Sequence, residues 1–274
     1  LNFLRGGAAA NVLSAQTGCT LRIIDVGVDA DFTPHPQLTQ AKVARGTASI
    51  LHADAMSAEE LERALTAGRE AAQEALRAGH RVMLFGEMGI GNTAISSLLL
   101  SELTGLPLAD CVGPGTGLDS AGVARKLALL ERVRQRPTEP FPKGDAAAEA
   151  ITLLSRYGGF EIAALAAAIS AVAASRNVVL IDGFAVTVAA LLAERMQPGT
   201  LSRCIVSHCS AEPAHRLLLE QLRIEPLLSL GLRLGEGSGA LLALPLLRNS
   251  VALFRNMATF GSAGVSTKSP GSDG

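Results

Sequence analysis

Two glutamates of this sequence lie inside glycine-rich turns, where a carboxylate stays within reach of a ligand. Glu236 lies in LGEGSGA (residues 234–240), which precedes an apolar helical pattern, and Glu87 lies in GEMGIGNT (residues 86–93). A carboxylate is costly to bury without a purpose. A catalytic or ligand-binding role for Glu236 therefore outweighs a role in packing.

The turn around Glu236 also satisfies the weak G-x-G-x-x-A form of the dinucleotide fingerprint, through Gly235 and Gly237. That fingerprint needs an acidic residue about 20 positions further on to hold a ribose. The next acid after Glu236 is Asp273, and Glu236 itself would repel a pyrophosphate. The pattern therefore disfavours a dinucleotide site.

Residues 86–93 nearly match the phosphate-binding pattern G-x-x-x-x-G-K-T, and they lie between a predicted strand and a predicted helix. Such a turn lets backbone N–H groups and a helix N-terminus face an anion. Asn92 stands where a nucleotide-binding lysine would neutralise phosphates, which disfavours a Walker-type ATPase. The remaining candidate binding residues of this turn are Gly86, Gly89, Gly91 and Thr93.

A third glycine-rich turn, GPGTGLD (residues 113–119), leads into a helix that carries Arg125 and Lys126. Flexible amides at Gly115 and Gly117, together with two cations, suit a phosphate monoester. The alternative is a plain turn before a capped helix whose charged side chains are solvated. From the residues alone the two interpretations carry equal weight.

Several polar residues follow predicted strands. Asp182 lies at the carboxyl end of a buried strand, where α/β sheets bind ligands, although a strand-end cap is almost as good an interpretation. Ser210 follows the next strand but lacks the G-x-S-x-G elbow of a hydrolase, which disfavours a serine nucleophile. His208 and His215 have no ligand partner at metal spacing, so we interpret both as structural.

The elements that must position these residues alternate in the rhythm of a parallel sheet with crossover helices, which predicts an α/β fold. The predicted strands are residues 21–28, 81–85, 178–181 and 203–206. The predicted helices are residues 57–78, 93–102, 120–135, 160–175, 185–195, 211–221 and 240–257. Residues 136–143, rich in proline, are expected to leave the helix as an excursion within one domain.

Composition narrows the class of protein. The 274 residues are 48% hydrophobic and 3% aromatic, with a formal net charge of −1, so neither general disorder nor a nucleic-acid partner is expected. The four cysteines are scattered, which favours a reduced compartment, and no stretch is long enough to span a membrane. The chain opens on Leu1 without a signal peptide pattern, so we expect the sequence to begin inside a longer protein.

Six motifs in order resemble the nicotinate-nucleotide:dimethylbenzimidazole phosphoribosyltransferase family. The resemblance also includes the opening LNFLRGGAAANVL and IDVGVDAD, and it runs from residue 1 to about residue 265. The six motifs are GEMGIGNT (86–93), GTGLDSAGVARK (115–126), GGFEIAALAAAI (158–169), VLIDGF (179–184), SHCSAEPAH (207–215) and LGLRLGEGSGALLALPLL (230–247).

The resemblance implies transfer of 5-phosphoribosyl from nicotinate mononucleotide to 5,6-dimethylbenzimidazole in cobalamin lower-ligand synthesis. It implies that Glu236 is the general base and that Glu87, Lys126 and Ser210 belong to the nucleotide site. The carboxylate of Glu87 would stabilise the positive charge that develops at C1′. The leaving group is already a cationic pyridinium, so we expect neither a metal nor a cofactor. The resemblance also implies a homodimer, and we expect a cytoplasmic location.

The resemblance further implies a Rossmann-like, mostly parallel sheet with helices on both faces and remnants of a small helical domain. We divide the chain into part of that small domain (1–20), an α/β nucleotide-binding domain (21–240), a C-terminal helix packing on the small domain (241–260) and a flexible tail (261–274).

The sequence departs from the family pattern at Pro114 and Cys209, where members commonly carry arginine, which would weaken anion binding. The family's D-H-G-V stretch, which contributes to the small helical domain and the base pocket, does not occur here. Two alternatives therefore stay open. One is an inactive fragment or nucleotide-binding module, and the other is a different α/β enzyme that uses a mononucleotide.

Overall fold

The structure is a computed structural model, and it describes residues 2–115, 117–259 and 262–263. Ten α-helices occur in this part of the chain, together with short 3-10 turns at Phe3–Arg5 and Leu201–Arg203. The helices are α1 (Ala9–Thr17), α2 (Ala58–Arg77), α3 (Asn92–Thr104), α4 (Leu108–Cys111), α5 (Ser120–Arg134), α6 (Ala146–Tyr157), α7 (Phe160–Ala174), α8 (Phe184–Met196), α9 (Pro213–Leu222) and α10 (Ser238–Asn256).

The strands form two separate parallel sheets. The main sheet has the order β3–β4–β5, so that β4 is its central strand and the connections cross over through helices. The smaller sheet pairs β1 with β2. The strands are β1 (Ile23–Asp25), β2 (Leu38–Gln40), β3 (Val82–Phe85), β4 (Val178–Ile181) and β5 (Cys204–Val206).

Helices cover both faces of the main sheet. Val179 and Ile181 of β4 belong to the large core that also contains the apolar residues of α7 and α8. Leu180 points to the opposite face, where it packs against Ala240 and Leu244 of α10. This alternation follows from the two-residue period of a strand. The predicted α/β fold with a mostly parallel sheet between helices is therefore confirmed.

The first predicted strand, residues 21–28, differs most from the structure. The regular strand covers only Ile23–Asp25, and its partner is β2 of the smaller sheet. The chain leaves the strand because the Asp25 carboxylate accepts hydrogen bonds from the N–H groups of Gly27 and Val28. An apolar run therefore ends in a turn that a side chain stabilises.

Helix ends follow local chemistry closely. The predicted capping box is present at the start of α2, where the Ser57 hydroxyl accepts from Glu60 N–H and the Glu60 carboxylate accepts from Ser57 N–H. Asp119 caps α5 by accepting from Gly122 N–H at 2.7 Å. The helix predicted over residues 211–221 begins later, because Pro213 occupies its first helical position.

Four elements were not predicted from the sequence: α1, α4, α6 and β2. The residues of the proline-rich excursion are held against α6 by Arg156, whose guanidinium donates to the Glu139 carbonyl oxygen at 2.7 Å and stacks on the Phe141 ring at 4.2 Å. Near the other end of the chain, α1 contacts α10, and the Arg248 guanidinium donates to the Thr17 carbonyl oxygen.

Three further sequence predictions concern membrane-spanning segments, the C-terminal tail and the cysteines. Among the described residues, no helix combines the length and apolar character that crossing a membrane requires. The tail predicted over residues 261–274 lies outside the described residues, apart from residues 262 and 263. All four cysteines are free thiols.

Candidate active site

The turn that carries Glu236 has an unusual backbone conformation. Gly235, Glu236 and Gly237 have consecutive positive φ angles of 79°, 62° and 75°. Glycine adopts this left-handed region freely, whereas a residue with a side chain loses about 1–2 kcal/mol there. A glutamate that carries this cost between two glycines points to a function of its side chain.

The Glu236 carboxylate faces the N-terminus of α1. Its Oε2 atom lies 3.4 Å from the backbone nitrogen of Ala10, in the first turn of that helix, and the residue is half-buried. The free N–H groups of a helix N-terminus carry a partial positive charge, which stabilises a nearby carboxylate. The N-terminal helix therefore orients Glu236, a contact that residue spacing did not reveal.

The turns of Glu87 and Glu236 are in direct backbone contact. A Cβ atom at Gly86 would lie only 2.1 Å from the backbone nitrogen of Gly237. The N–H of Glu236 also donates to the Glu87 carbonyl oxygen at 3.3 Å. Only a glycine permits this approach, so Gly86 fixes the two glutamates beside each other.

The Glu87 side chain lies in an acidic and poorly solvated environment. Burial raises the pKa of Glu87 to about 8, and the charges of Glu161 and Asp182 add to the effect. The Asn92 amide donates to the Glu87 carboxyl group. Since this pKa lies above neutral pH, the carboxyl group of Glu87 is mostly protonated in the free site.

Lys126 lies between the glycine-rich turn that ends at Thr93 and the one that begins at Gly113. Its ammonium group donates to the Gly113 carbonyl oxygen at 2.9 Å and lies 3.5 Å from the Thr93 hydroxyl. Gly115 also lies beside Thr93, because a Cβ atom there would lie 3.0 Å from the hydroxyl oxygen. Burial lowers the pKa of Lys126, and the carboxylate of Glu212 opposes this shift.

Glu212 links this cation to Ser210. A Cβ atom at Gly113 would lie 2.3 Å from Oε2 of Glu212, which places the carboxylate against the third glycine-rich turn. The backbone N–H of Glu212 in turn lies 3.4 Å from the Ser210 hydroxyl oxygen. Burial raises the pKa of Glu212, while Lys126 lowers it.

A buried histidine fixes the backbone at Ser210. The N–H of Ser210 donates to Nδ1 of His215 at 3.0 Å, so Nε2 of the neutral ring carries the proton and donates to the Thr187 hydroxyl at 2.9 Å. The Thr187 hydroxyl donates to the Gly183 carbonyl oxygen. Burial lowers the pKa of His215 to about 3, so the ring stays neutral. These contacts agree with the structural interpretation of His215.

Asp182 is completely engaged by the start of α10. One carboxylate oxygen accepts from the N–H groups of Gly239 and Ala240, at 2.8 and 3.1 Å, and the other accepts from Gly237 at 3.1 Å. Nδ1 of His208 lies 3.8 Å from Asp182. Burial raises the pKa of Asp182 and lowers that of His208, and each partner opposes the shift of the other.

All these groups gather at one edge of the main sheet. The turn at Gly86 follows β3, Asp182 follows β4, and the segment that begins at Ser207 follows β5. Parallel strands bring their carboxyl ends to the same edge, which is where α/β folds bind ligands. Gly91 and Gly117 are less closely packed than the other predicted glycines, because a Cβ atom at either would meet no atom within 4 Å.

The two positions that depart from the family pattern, Pro114 and Cys209, both lie near this edge of the sheet. Cys209 is buried and Pro114 is half-buried. Because neither side chain is a cation, neither position supplies the positive charge that an arginine would. Within the described ranges, no group of three histidine, cysteine, aspartate or glutamate side chains could hold a metal ion.

This chain is similar to known proteins over almost its whole length. The DBI_PRT phosphoribosyltransferase family model matches residues 1–265. Nicotinate-nucleotide–dimethylbenzimidazole phosphoribosyltransferase from Cupriavidus necator is 49% identical over 269 residues, which are 98% of this chain and 76% of that protein. The protein of the same name from Dechloromonas aromatica is 49% identical over 267 residues, with coverages of 97% and 76%.

This chain belongs to the nicotinate-nucleotide–dimethylbenzimidazole phosphoribosyltransferase family. Its fold is also similar to the crystal structure of CobT from Thermus thermophilus, with a TM-score of 0.89 and 42% sequence identity. That similarity covers 97% of this chain and 77% of the CobT chain. The resemblance inferred from the six motifs is therefore confirmed over almost the whole sequence.

Two acidic residues near the site, Glu161 and Glu212, were not among the residues predicted from the sequence. Glu161, in the first turn of α7, lies beside Gly89, where a Cβ atom would be 3.1 Å from its carboxylate. Burial raises the pKa of Glu161. Glu161 and Glu212 both lie inside motifs that carried the resemblance, but only their neighbours in space identify them as part of the site.

Proposed function

We propose that this chain transfers 5-phosphoribosyl from nicotinate mononucleotide to 5,6-dimethylbenzimidazole, giving α-ribazole 5′-phosphate and nicotinate for the lower ligand of cobalamin. Family membership supports the reaction type. The single observation that carries the residue assignment is Glu236, held in a left-handed conformation against the Glu87 turn. In this proposal Glu236 is the carboxylate that takes a proton from the acceptor.

In this reaction a ring nitrogen of the benzimidazole attacks C1′ of the ribosyl group. The bond between C1′ and the pyridinium nitrogen breaks, and its electron pair returns to the ring of the departing nicotinate. The second nitrogen of the benzimidazole becomes acidic as the first is alkylated, and its proton passes to the Glu236 carboxylate. General-base transfer of this kind contributes about 10²–10⁴-fold to a rate.

Glu87 stabilises the positive charge at C1′ in this proposal. Its raised pKa means that the free site holds a mostly neutral carboxyl group at pH 7. A bound pyridinium and a developing positive charge at C1′ favour the ionised carboxylate, so substrate binding drives loss of that proton. The charge of Glu87 then appears where the transition state needs it.

The phosphate of the nucleotide lies at the opposite end of the site in this proposal. Lys126 supplies the charge, and the turns at residues 86–93 and 113–119 supply backbone N–H groups, with Ser210 beside them through Glu212. A phosphate held away from C1′ lets binding energy orient the ribose for attack. Both glycine-rich turns thus belong to one nucleotide site.

The finer assignments of setting and organisation are also proposals. Family resemblance supports a homodimer, and four free cysteines agree with a reduced, cytoplasmic compartment. We assign residues 1–20 to part of a small helical domain and residues 241–260 to a C-terminal helix that packs on it, which the contacts between α1 and α10 support. Residues 21–240 form the nucleotide-binding unit in this division.

Glu236→Gln tests the proposed function. The substitution keeps the shape of the side chain but removes the base, so turnover of nicotinate mononucleotide with dimethylbenzimidazole is expected to fall by about 10²–10⁴-fold. The affinity for the nucleotide, measured by calorimetry, is expected to stay within about two-fold, because the positioning contacts remain. Chromatographic separation of α-ribazole 5′-phosphate measures the turnover.

Glu220→Gln is the matched control, because Glu220 is an exposed glutamate on α9 and its variant should retain wild-type turnover. A Glu236→Gln enzyme within a few-fold of wild type would contradict the assignment of the base. Nucleotide binding without any turnover by the wild-type chain would contradict the proposed transfer and favour a nucleotide-binding module. Tight binding of a different mononucleotide alone would favour another enzyme class.

A further inference from the structure

We propose that Asp182 is a positioning residue for the reaction, which sets the conformation of Glu236 through the backbone of residues 237–240. The inference rests on the proposed function of Glu236. Asp182 follows the central strand β4, and its carboxylate accepts hydrogen bonds from Gly237, Gly239 and Ala240. One side chain thus connects the sheet to the turn that carries the base.

The start of α10 needs this side chain. The first N–H groups of a helix have no partner within the helix, and side chains usually satisfy them. Here the N-cap residue is Gly237, which has no side chain to offer. Because Ser238, Gly239 and Ala240 are buried, water does not replace the missing partner. Asp182 therefore supplies from the sheet the capping that the helix itself lacks.

The bond to Gly237 matters most for Glu236. Gly237 is the next residue along the chain, and both residues have positive φ angles. Fixing the N–H of Gly237 fixes the peptide unit that joins it to Glu236, and with it the direction of the glutamate side chain. Without this bond, the left-handed conformation of Glu236 loses a contact that offsets its cost.

Asp182 is too deeply buried in this structure to contact a substrate. The residue is 1% exposed, and both of its oxygens already accept backbone hydrogen bonds. Nδ1 of His208 lies 3.8 Å from the Asp182 carboxylate, and a Cβ atom at Gly239 would lie 2.0 Å from the same ring. The His208 ring therefore packs closely against both the carboxylate and the backbone of the turn. An effect of Asp182 on the reaction therefore passes through the turn.

Asp182→Asn disrupts the set of three hydrogen bonds that the carboxylate accepts. If the amide oxygen keeps the position of Oδ1, it still accepts from Gly239 and Ala240, but the NH₂ group then faces the N–H of Gly237. Two donors repel, so the connection to Gly237 is lost. If the amide is flipped, the two other bonds are lost instead. No orientation of asparagine satisfies all three N–H groups.

A double-mutant cycle with Glu236→Gln tests the proposal. Misplacement of a reacting group by about 1 Å costs up to about 100-fold in rate, so Asp182→Asn is expected to lower kcat by about 10- to 100-fold. The KM for nicotinate mononucleotide is expected to change less than about three-fold. In the Glu236→Gln background the same substitution is expected to lower kcat by less than about three-fold, since the base is already absent.

Asp145→Asn is the matched control. Asp145 is an exposed aspartate that caps α6, and both Ala147 N–H and Ala148 N–H donate to its Oδ1 atom. Asparagine therefore makes the same carboxylate-to-amide change there while its amide oxygen keeps both bonds, and kcat should stay at the wild-type value. Equal losses of kcat from Asp182→Asn in both backgrounds would overturn the proposal, because they would show general damage. A wild-type kcat for Glu236→Gln would instead contradict the proposed function.

Amide hydrogen exchange of the wild-type chain gives a readout that needs no folded variant. The N–H groups of Gly237 and Gly239 are expected to exchange at least about 100-fold more slowly than that of Gly122, which the exposed Asp119 caps. Exchange of Gly237 as fast as that of Gly122 would show that Asp182 does not hold the turn, and would overturn the proposal even if Asp182→Asn failed to fold.

Discussion

Gly86→Ala is expected to separate the two glutamate turns and to lower turnover without removing any functional group. The new Cβ atom would lie 2.1 Å from the Gly237 nitrogen and 2.5 Å from the Glu236 carbonyl carbon. Non-bonded carbon atoms need about 3.5 Å from their neighbours, so the turns must move apart by about 1 Å. Both neighbours are backbone atoms, so no side chain can rotate away.

Two quantities measure the effect of Gly86→Ala. Overpacking of this kind costs about 1–3 kcal/mol of unfolding free energy, measured by denaturant titration. A displacement of about 1 Å at the base is expected to reduce kcat by up to about 100-fold, measured as formation of α-ribazole 5′-phosphate. The affinity for nicotinate mononucleotide is expected to fall far less, because Lys126 lies on α5, outside the two glutamate turns.

Gly79→Ala provides the control for stability alone. Gly79 has a φ angle of 87° with open space around it, so alanine there costs about 1–2 kcal/mol through backbone strain and touches no part of the site. Its kcat should equal the wild-type value at a temperature where both variants are folded. A Gly86→Ala enzyme with wild-type kcat would refute the argument that the contact between the turns positions Glu236.

Two further predictions concern the nucleotide. Lys126→Ala is expected to weaken binding of nicotinate mononucleotide by about 10- to 100-fold in calorimetry, because a charged hydrogen bond contributes that much to affinity. Arg132→Ala, on the exposed face of the same helix, is the control and should bind like the wild-type chain. Equal binding by both variants would remove Lys126 from the phosphate role. Binding at pH 7 is expected to release up to about one proton from Glu87, whose pKa of about 8 must fall beside a pyridinium. Calorimetry in buffers of different ionisation enthalpy measures that proton, and its persistence in Glu87→Gln would contradict the assignment.

The direction of the pH dependence of stability follows from the same pKa. The unfolded chain has an ordinary glutamate pKa of about 4.3, so between pH 4.3 and about 8 the folded protein binds more protons at Glu87 than the unfolded chain does. The contribution of Glu87 to stability is therefore largest below its unfolded pKa and is lost as the pH rises toward 8.

Local patterns in the sequence were sufficient for the fold class and for the glycine-rich turns. Apolar runs that end in polar residues identified β3, β4 and β5, and short-range capping signals identified the starts of α2 and α5. These signals act over a few residues, so a sequence displays them directly. The family followed from six ordered motifs, for the same reason.

Pairing between distant segments was not available from local patterns. The strand predicted over residues 21–28 shortened to Ile23–Asp25 and joined β2, because a carboxylate and a partner strand together decided where it ends. Short elements such as α4 and β2 carry too few residues to show a period. Their existence depends on what packs around them.

The sequence by itself determined which residue types stand in the turns: a glutamate between glycines at 236, another at 87, and a lysine at 126. Only the tertiary structure decided that Gly86 touches Gly237, that the N-terminus of α1 faces Glu236, and that Asp182 caps α10 rather than facing solvent. The physical reason is that backbone contacts across 55 residues or more leave no periodic trace. Such contacts become visible when the strands bring their carboxyl ends to one edge.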